Sequence, residues 1–221
     1  MKVSTSVTSK TNKVEVDLWY STSLDLGLKL SDELAALSFS YQNDHSKKPL
    51  FTPRVATFSC ETCDQGFKEK NCLSNGTYCA YTPKFFDEYK LKNADFELTG
   101  REILIQSLRE KCLHDIISEK YHNEGVIFWT FFKYLDNCFV ENGVKAKSLD
   151  DCYDWSTVKI NGVDEVGNLN KCVKDSFAVL DDLETENKIL AADKAWSNAL
   201  NLHFHPSVVI NNSTYNGDIK G

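Results

Sequence analysis

The sequence is poor in several things, and each shortage excludes something. Lys and Arg number 25 against 32 Asp and Glu, a net charge of −7. That balance argues against nucleic-acid binding, because phosphate contacts need clustered positive charge. It argues equally against an anionic membrane surface. No apolar run approaches the roughly 18 residues of a spanning helix. There is no Gly-x-Ser-x-Gly elbow for a Ser-His-Asp hydrolase, and no glycine-rich loop to cradle a phosphate. Residues Met1–Lys13 are rich in Ser, Thr and Lys and lack the apolar core of a secretory signal. They read as a linker or disordered segment, and the chain reads as a domain of a longer protein or one whose leader has been removed.

Cysteine, by contrast, is plentiful: eight in 221 residues, beside a single Met. An even count of this size points to a disulfide framework and the secretory pathway or cell exterior. The competing reading is a set of buried free thiols. Cys60-Glu61-Thr62-Cys63 has metal-ligand spacing, but its natural partners Cys72 and Cys79 lie seven apart, so neither a zinc site nor any other cofactor is expected. Three glycosylation sequons, at Asn75, Asn211 and Asn212, agree with a lumenal chain. Asn75 falls between Cys72 and Cys79, in an expected exposed loop.

Val14–Tyr20 alternates apolar and acidic residues and then turns apolar, a strand that starts half buried. Ser21 and Ser23 offer N-caps, and Leu26, Leu30, Leu34 and Leu37 form one stripe of a helix over 24–41. Phe51–Phe58 reads as a second strand, with Pro53 near its start. Cys60–Pro83 reads as irregular and disulfide-pinned. Thr99-x-x-Glu102 opens a long helix to about Glu119, with Cys112 on its core face. Val126–Phe139 is rich in aromatics and reads as a buried helix. Further helices are expected from Ser148, over 167–180 and over 185–200. Val208-Val209-Ile210 and Tyr215 then suggest a hairpin. Strand–helix–strand at one end and a hairpin at the other imply a small mixed sheet, with a helical insertion of about 99–200 between its halves. Asp150-Asp151 and Asp181-Asp182 read as solvated faces or caps.

His203-Phe204-His205-Pro206-Ser207-Val208 is the most informative stretch. A proline just before a buried strand removes a ladder donor, and a cis X-Pro bond is one way to build such a junction. Thioredoxin-like folds carry a cis-proline loop at this place, facing the start of the first helix. In that light the sequence resembles the thioredoxin-like domain of vacuolar sorting receptors. The resemblance is carried in order by Val14–Gly27, Phe51-Thr52-Pro53, Asn75–Ala80, Trp129–Cys138, Cys152, Cys172 and Pro206–Gly217. It covers nearly the whole chain after residue 13 and implies an α/β, thioredoxin-like, DsbA-like fold with a helical insertion over 14–221. The last helix of that fold is not accounted for in the sequence.

Thioredoxin-like catalysts place Cys-x-x-Cys where the first strand meets the first helix, whose N-terminus lowers a thiol pKa. Here that place is Trp19-Tyr20-Ser21-Thr22-Ser23-Leu24, with no cysteine in any register. Cys60-x-x-Cys63 follows the second strand instead, where no helix start is evident. His203 and His205 lack neighbouring ligands for a metal. The resemblance implies a non-catalytic lumenal or extracellular domain that binds or positions protein cargo, or neighbouring subunits. Trp19, Tyr20, Ser21, Ser23, His205 and Pro206 would line its groove. A thiol–disulfide oxidoreductase using Cys60 and Cys63, and a structural subunit of a larger assembly, are the alternatives. Cys138 is expected to pair with Cys152, joining the end of one helix to the start of the next, and Cys60, Cys63, Cys72 and Cys79 mostly among themselves.

Overall fold

A computed structural model describes residues 14–20, 36, 49–80, 99–120, 124–136, 138, 149–161, 163–202 and 207–215. Strand β1 (Glu15–Tyr20) lies in the middle of a four-stranded sheet. On one side it runs parallel to β2 (Leu50–Val55), Val16 beside Phe51 and Trp19 beside Arg54. On the other it runs antiparallel to β5 (Ser207–Ile210), Val16 facing Ile210 and Trp19 facing Ser207. Strand β6 (Ser213–Tyr215) closes the order β2-β1-β5-β6. The β5–β6 turn is Asn211-Asn212, at φ 48° and 63°. Two consecutive left-handed residues give the turn whose twist matches its strands, and Asn tolerates that conformation. Asn211 also ties the hairpin to β1: its N–H donates to the Glu15 carbonyl, and its Oδ1 accepts the Glu15 N–H at 2.9 Å. Of the helix expected over 24–41 only Ala36, which is helical, lies within the described residues.

Between β2 and β5 the chain builds α1 (Gln65–Asn71), β3 (Cys72–Leu73), β4 (Tyr78–Cys79), α2 (Gly100–Lys120), α3 (Glu124–Asp136), α4 (Leu149–Asn161), α5 (Val163–Asp175) and α6 (Lys188–Ala199). Helix α2 is the axis of this block. Thr99 caps it: its Oγ1 accepts the Glu102 N–H, and Glu102 Oε2 accepts the Thr99 N–H at 2.7 Å. This reciprocal pair satisfies two donors that a helix start leaves open. Gly100 lets that end sit tightly against α1 and β4, since a Cβ there would lie 2.7 Å from the Asn71 carbonyl and 2.8 Å from that of Ala80. Ile103, Leu104, Leu108, Cys112, Leu113 and Ile117 fill the core. The aromatic helix α3 packs beside them, with Phe128, Trp129, Phe131 and Phe132 all buried. Phe51 of β2 meets Trp129 edge-on at 5.9 Å, joining helical block to sheet.

Four expectations need correction. Cys60–Pro83 is not irregular throughout: it carries α1 and the β3–β4 pair. Helix α1 has almost no apolar periodicity, which hid it. It is fixed locally by Asp64, whose Oδ1 accepts the Phe67 N–H at 2.9 Å. The helix expected over 167–180 ends at Asp175, because the chain turns back: the Ala178 N–H bonds the Glu186 carbonyl and the Lys188 N–H that of Ser176. Helix α6 starts at Lys188 rather than 185, where buried Asn187 accepts the N–H groups of Ile189 and Leu190. The second strand likewise stops at Val55, and Phe58 instead bridges to Cys79.

All eight cysteines are paired. Cys138–Cys152 is the pair the sequence favoured, Cys60, Cys63, Cys72 and Cys79 do pair among themselves, as Cys60–Cys63 and Cys72–Cys79, and Cys112–Cys172 joins α2 to α5. The bridges close loops of very different length, so their stabilisation differs. Replacing Cys112 and Cys172 together by Ala is expected to cost about 4 kcal/mol, and replacing Cys60 and Cys63 about 2 kcal/mol, in urea unfolding. The reverse order would show that loop closure is not what the bridges contribute.

Candidate functional site

In this sheet the carboxyl end of β1 meets the start of β5, as the Trp19–Ser207 register pair shows. The chain therefore leaves β1 and enters β5 at the same end of the sheet. The sequence assigned the groove to this place. Ser21, Ser23, His205 and Pro206 lie outside the described residues, as do His203 and Gly217. Tyr20 is the last residue of β1, paired in register with Val55. Trp19 is fully buried. It therefore offers no surface to a ligand, a correction to its place among lining residues. Among the described residues its indole N–H meets no acceptor. The same is true of Trp129 and Trp196, so this does not single the site out.

Beside Trp19 stands a polar centre that sequence reasoning missed. The Arg54 guanidinium lies 6.0 Å from the Trp19 ring centre. It donates to Asp17 of β1 at 2.9 Å and to Asp193 of α6 at 3.0 Å. Asp193 is buried and its second oxygen accepts the Val55 N–H at 2.9 Å. Lys111 of α2, also buried, donates to the Pro53 carbonyl at 2.9 Å. Burial opposes the Arg54 charge, but Asp17 and Asp193 outweigh it and hold the guanidinium above its ordinary pKa. Burial draws the Lys111 ammonium below the usual lysine range, against the pull of Asp193. The one sequence signal was charge at core positions: Asp193 three after Leu190, and Lys111 beside Cys112.

These contacts also close an edge. Leu50 turns its N–H toward β1, bonding the Val14 carbonyl, so Pro53 and Val55 turn their backbone groups outward. Pro53 has no N–H, its carbonyl is held by Lys111, and the Val55 N–H is held by Asp193. This stretch of β2 offers an incoming strand little to pair with.

The Cys60-x-x-Cys63 motif differs from its expected setting. It does precede a helix, since α1 begins at Gln65. That helix has only seven residues, and its N-terminus is occupied by the Asp64 carboxylate. A carboxylate next to Cys63 raises the cost of a thiolate there, the opposite of what exchange chemistry needs. The other three bridges each contain at least one fully buried cysteine, Cys72, Cys79, Cys112 or Cys152. Cys60 and Cys63 are partly exposed. Among the described residues no group of three or more His, Cys, Asp or Glu is placed to hold a metal ion. No described helix is long and apolar enough to cross a membrane.

A central strand flanked by a parallel and an antiparallel neighbour, with a terminal hairpin and a helical insertion, defines a thioredoxin-like domain. Residues 14–221 match the family model of the vacuolar sorting receptor thioredoxin-like domain, and the chain belongs to that family. It is also similar to vacuolar-sorting receptor 5 of Arabidopsis thaliana, 24% identical over 232 residues. That match covers 100% of this chain and 34% of the relative, so the chain spans about a third of that receptor's length.

The polar centre is a measurable support of the site. Asp193→Ala leaves Arg54 with one partner fewer and strips the Val55 N–H of its acceptor. A loss of about 3–5 kcal/mol in urea unfolding is expected. A loss below about 1 kcal/mol would mean that the pairing does not hold the sheet edge.

Proposed function

We propose that this chain is a non-catalytic, lumenal or extracellular domain of a vacuolar-sorting-receptor-like protein that binds or positions protein cargo. The observation that carries the reading is a coincidence of place. The β1–β5 end, where thioredoxin-like catalysts hold their reactive thiol, has none here, and every cysteine is instead in a bridge elsewhere. A fold that keeps the β1–β5 junction without its nucleophile suits binding. Family membership agrees with the same reading.

Docking would use the groove between Tyr20–Ser23 and His205-Pro206. Backbone before Pro206 would pair with an extended peptide in the manner of strand addition. The shut stretch of β2 favours this end of the sheet over the β2 edge. A peptide display library selected on the wild-type domain provides the probe. Tyr20→Ala and His205→Ala are expected to weaken the selected peptides about tenfold or more, equal to ~1.4 kcal/mol. Unchanged binding in both variants would remove the groove as the site.

The oxidoreductase alternative meets the Asp64 carboxylate described above. The domain is expected not to accelerate reduction of insulin by dithiothreitol, and Cys60→Ala is expected to leave that rate where it was. Acceleration by the wild type that is lost in Cys60→Ala would overturn the non-catalytic reading.

A further inference from the structure

We infer that Asn75 is an N-glycan acceptor and that the surface around the 74–77 turn is consequently covered in the mature protein. The inference rests on the lumenal reading above, and it concerns one sequon of three. The turn Ser74–Gly76 links the two halves of the Cys72–Cys79 loop. Its backbone is held on both sides. Ser74 donates its N–H to the Leu183 carbonyl at 2.9 Å and its hydroxyl to that of Thr185 at 2.6 Å. The Asn75 N–H donates to Glu184 Oε2 at 3.1 Å. The Thr77 carbonyl accepts from Ser59 Oγ at 2.9 Å and from Lys194 Nζ at 3.2 Å.

Two residues of the sequon are explained by the turn itself. Asn75 sits at φ 54°, a left-handed conformation that Asn tolerates. Gly76 sits at φ 93°, and a Cβ there would lie 2.7 Å from the Cys60 carbonyl oxygen. Thr77 is not so explained. Its hydroxyl makes no hydrogen bond among the described residues, nor does the Asn75 side chain, although the backbone of both is engaged. Asn75 is exposed between buried Ser74 and Gly76, so its amide is the group that the turn presents to solvent. Asn and hydroxyl are the two parts that the glycosylating enzyme reads, and here they are the two parts the fold leaves unused. The hairpin sequons differ. Asn211 uses its Oδ1 and its N–H to fasten β5–β6 to β1, and Asn212 is partly buried.

The chemistry transfers an oligosaccharide from a lipid pyrophosphate donor. The sugar C1–O bond to pyrophosphate breaks, a C1–N bond to Asn75 Nδ2 forms, and Nδ2 gives up one proton as the lipid pyrophosphate leaves. A sugar at this turn shields the Ser74–Thr77 surface together with Glu184 and Lys194, and so excludes this side of the molecule from partner contact.

The test is to secrete the whole chain from a eukaryotic cell behind a cleavable heterologous signal sequence. The product is treated with peptide N-glycosidase in heavy-oxygen water and its peptides mapped. The Asn75 peptide is expected to carry heavy-oxygen Asp. Thr77→Ala is expected to lose one glycan's mobility shift, while Thr77→Ser keeps it. Thr77→Ala leaves Asn75 and Gly76 in place, and unchanged disulfide pairing in that variant shows that the turn still folds. An unlabelled Asn75 peptide in correctly bridged protein, or a shift unaltered by Thr77→Ala, would overturn the assignment. Because the signal sequence forces entry to the lumen, that failure leaves the lumenal reading intact. The lumenal reading fails separately, if protein from its native cell contains free thiols at these eight positions.

Discussion

Everything in this domain depends on β1 acquiring a partner that arrives almost at the end of the chain. Glu15 and Asn211, which exchange backbone and side-chain hydrogen bonds, are 196 residues apart in sequence. β1 gains a neighbour from β2 early, but it is central only once β5 pairs with it. Closing so long a loop costs entropy before it returns any contact. The intervening residues reduce that cost if they are already compact. The helical block around α2, with its own buried aromatic cluster and two bridges between distant segments, supplies such a unit.

The bridges and the polar centre divide the work. The covalent links lie within the block and beside it: α2 to α5, the segment after α3 to α4, and β3 to β4. The sheet is joined to the block without a covalent link, through the Phe51–Trp129 contact and through Asp193 and Lys111 reaching the outer side of β2. Buried charges demand their partners, so this junction accepts one arrangement of helix and strand. A purely apolar junction would tolerate sliding. The site end of the sheet therefore inherits its geometry from α2 and α6, although neither helix reaches the groove residues in sequence.

Much of the architecture was legible because it rests on local pattern. Alternation marked β1, the Thr99–Glu102 capping box marked the start of α2, and β-branched Val208–Ile210 marked β5. The place of the insertion followed from that order. What escaped was set by tertiary contact. Helix α1 carries one large apolar residue, Phe67, and is defined by its cap and flanking bridges rather than by a stripe. Helix α5 stops at Asp175 because Asn187 and Glu186 return to meet Ser176 and Ala178, an event with no signature at residue 175. Arg54, Lys111 and Asp193 read as ordinary charges, since a sequence does not say which charged positions face inward. The absence of cysteine at Tyr20–Leu24 was the part of the site most plainly written, because it required only knowing where the first strand ends.

The capped outer side of β2 has a consequence for how copies of this domain could associate. A sheet adds strands only where backbone donors and acceptors stand free. Among the described strands, two molecules joined through β6 would form one continuous sheet, each end of it a β2 whose Pro53 carbonyl and Val55 N–H are already taken. The same lysine and aspartate that set the junction between sheet and helices therefore also work against strand addition at Pro53–Val55 of β2.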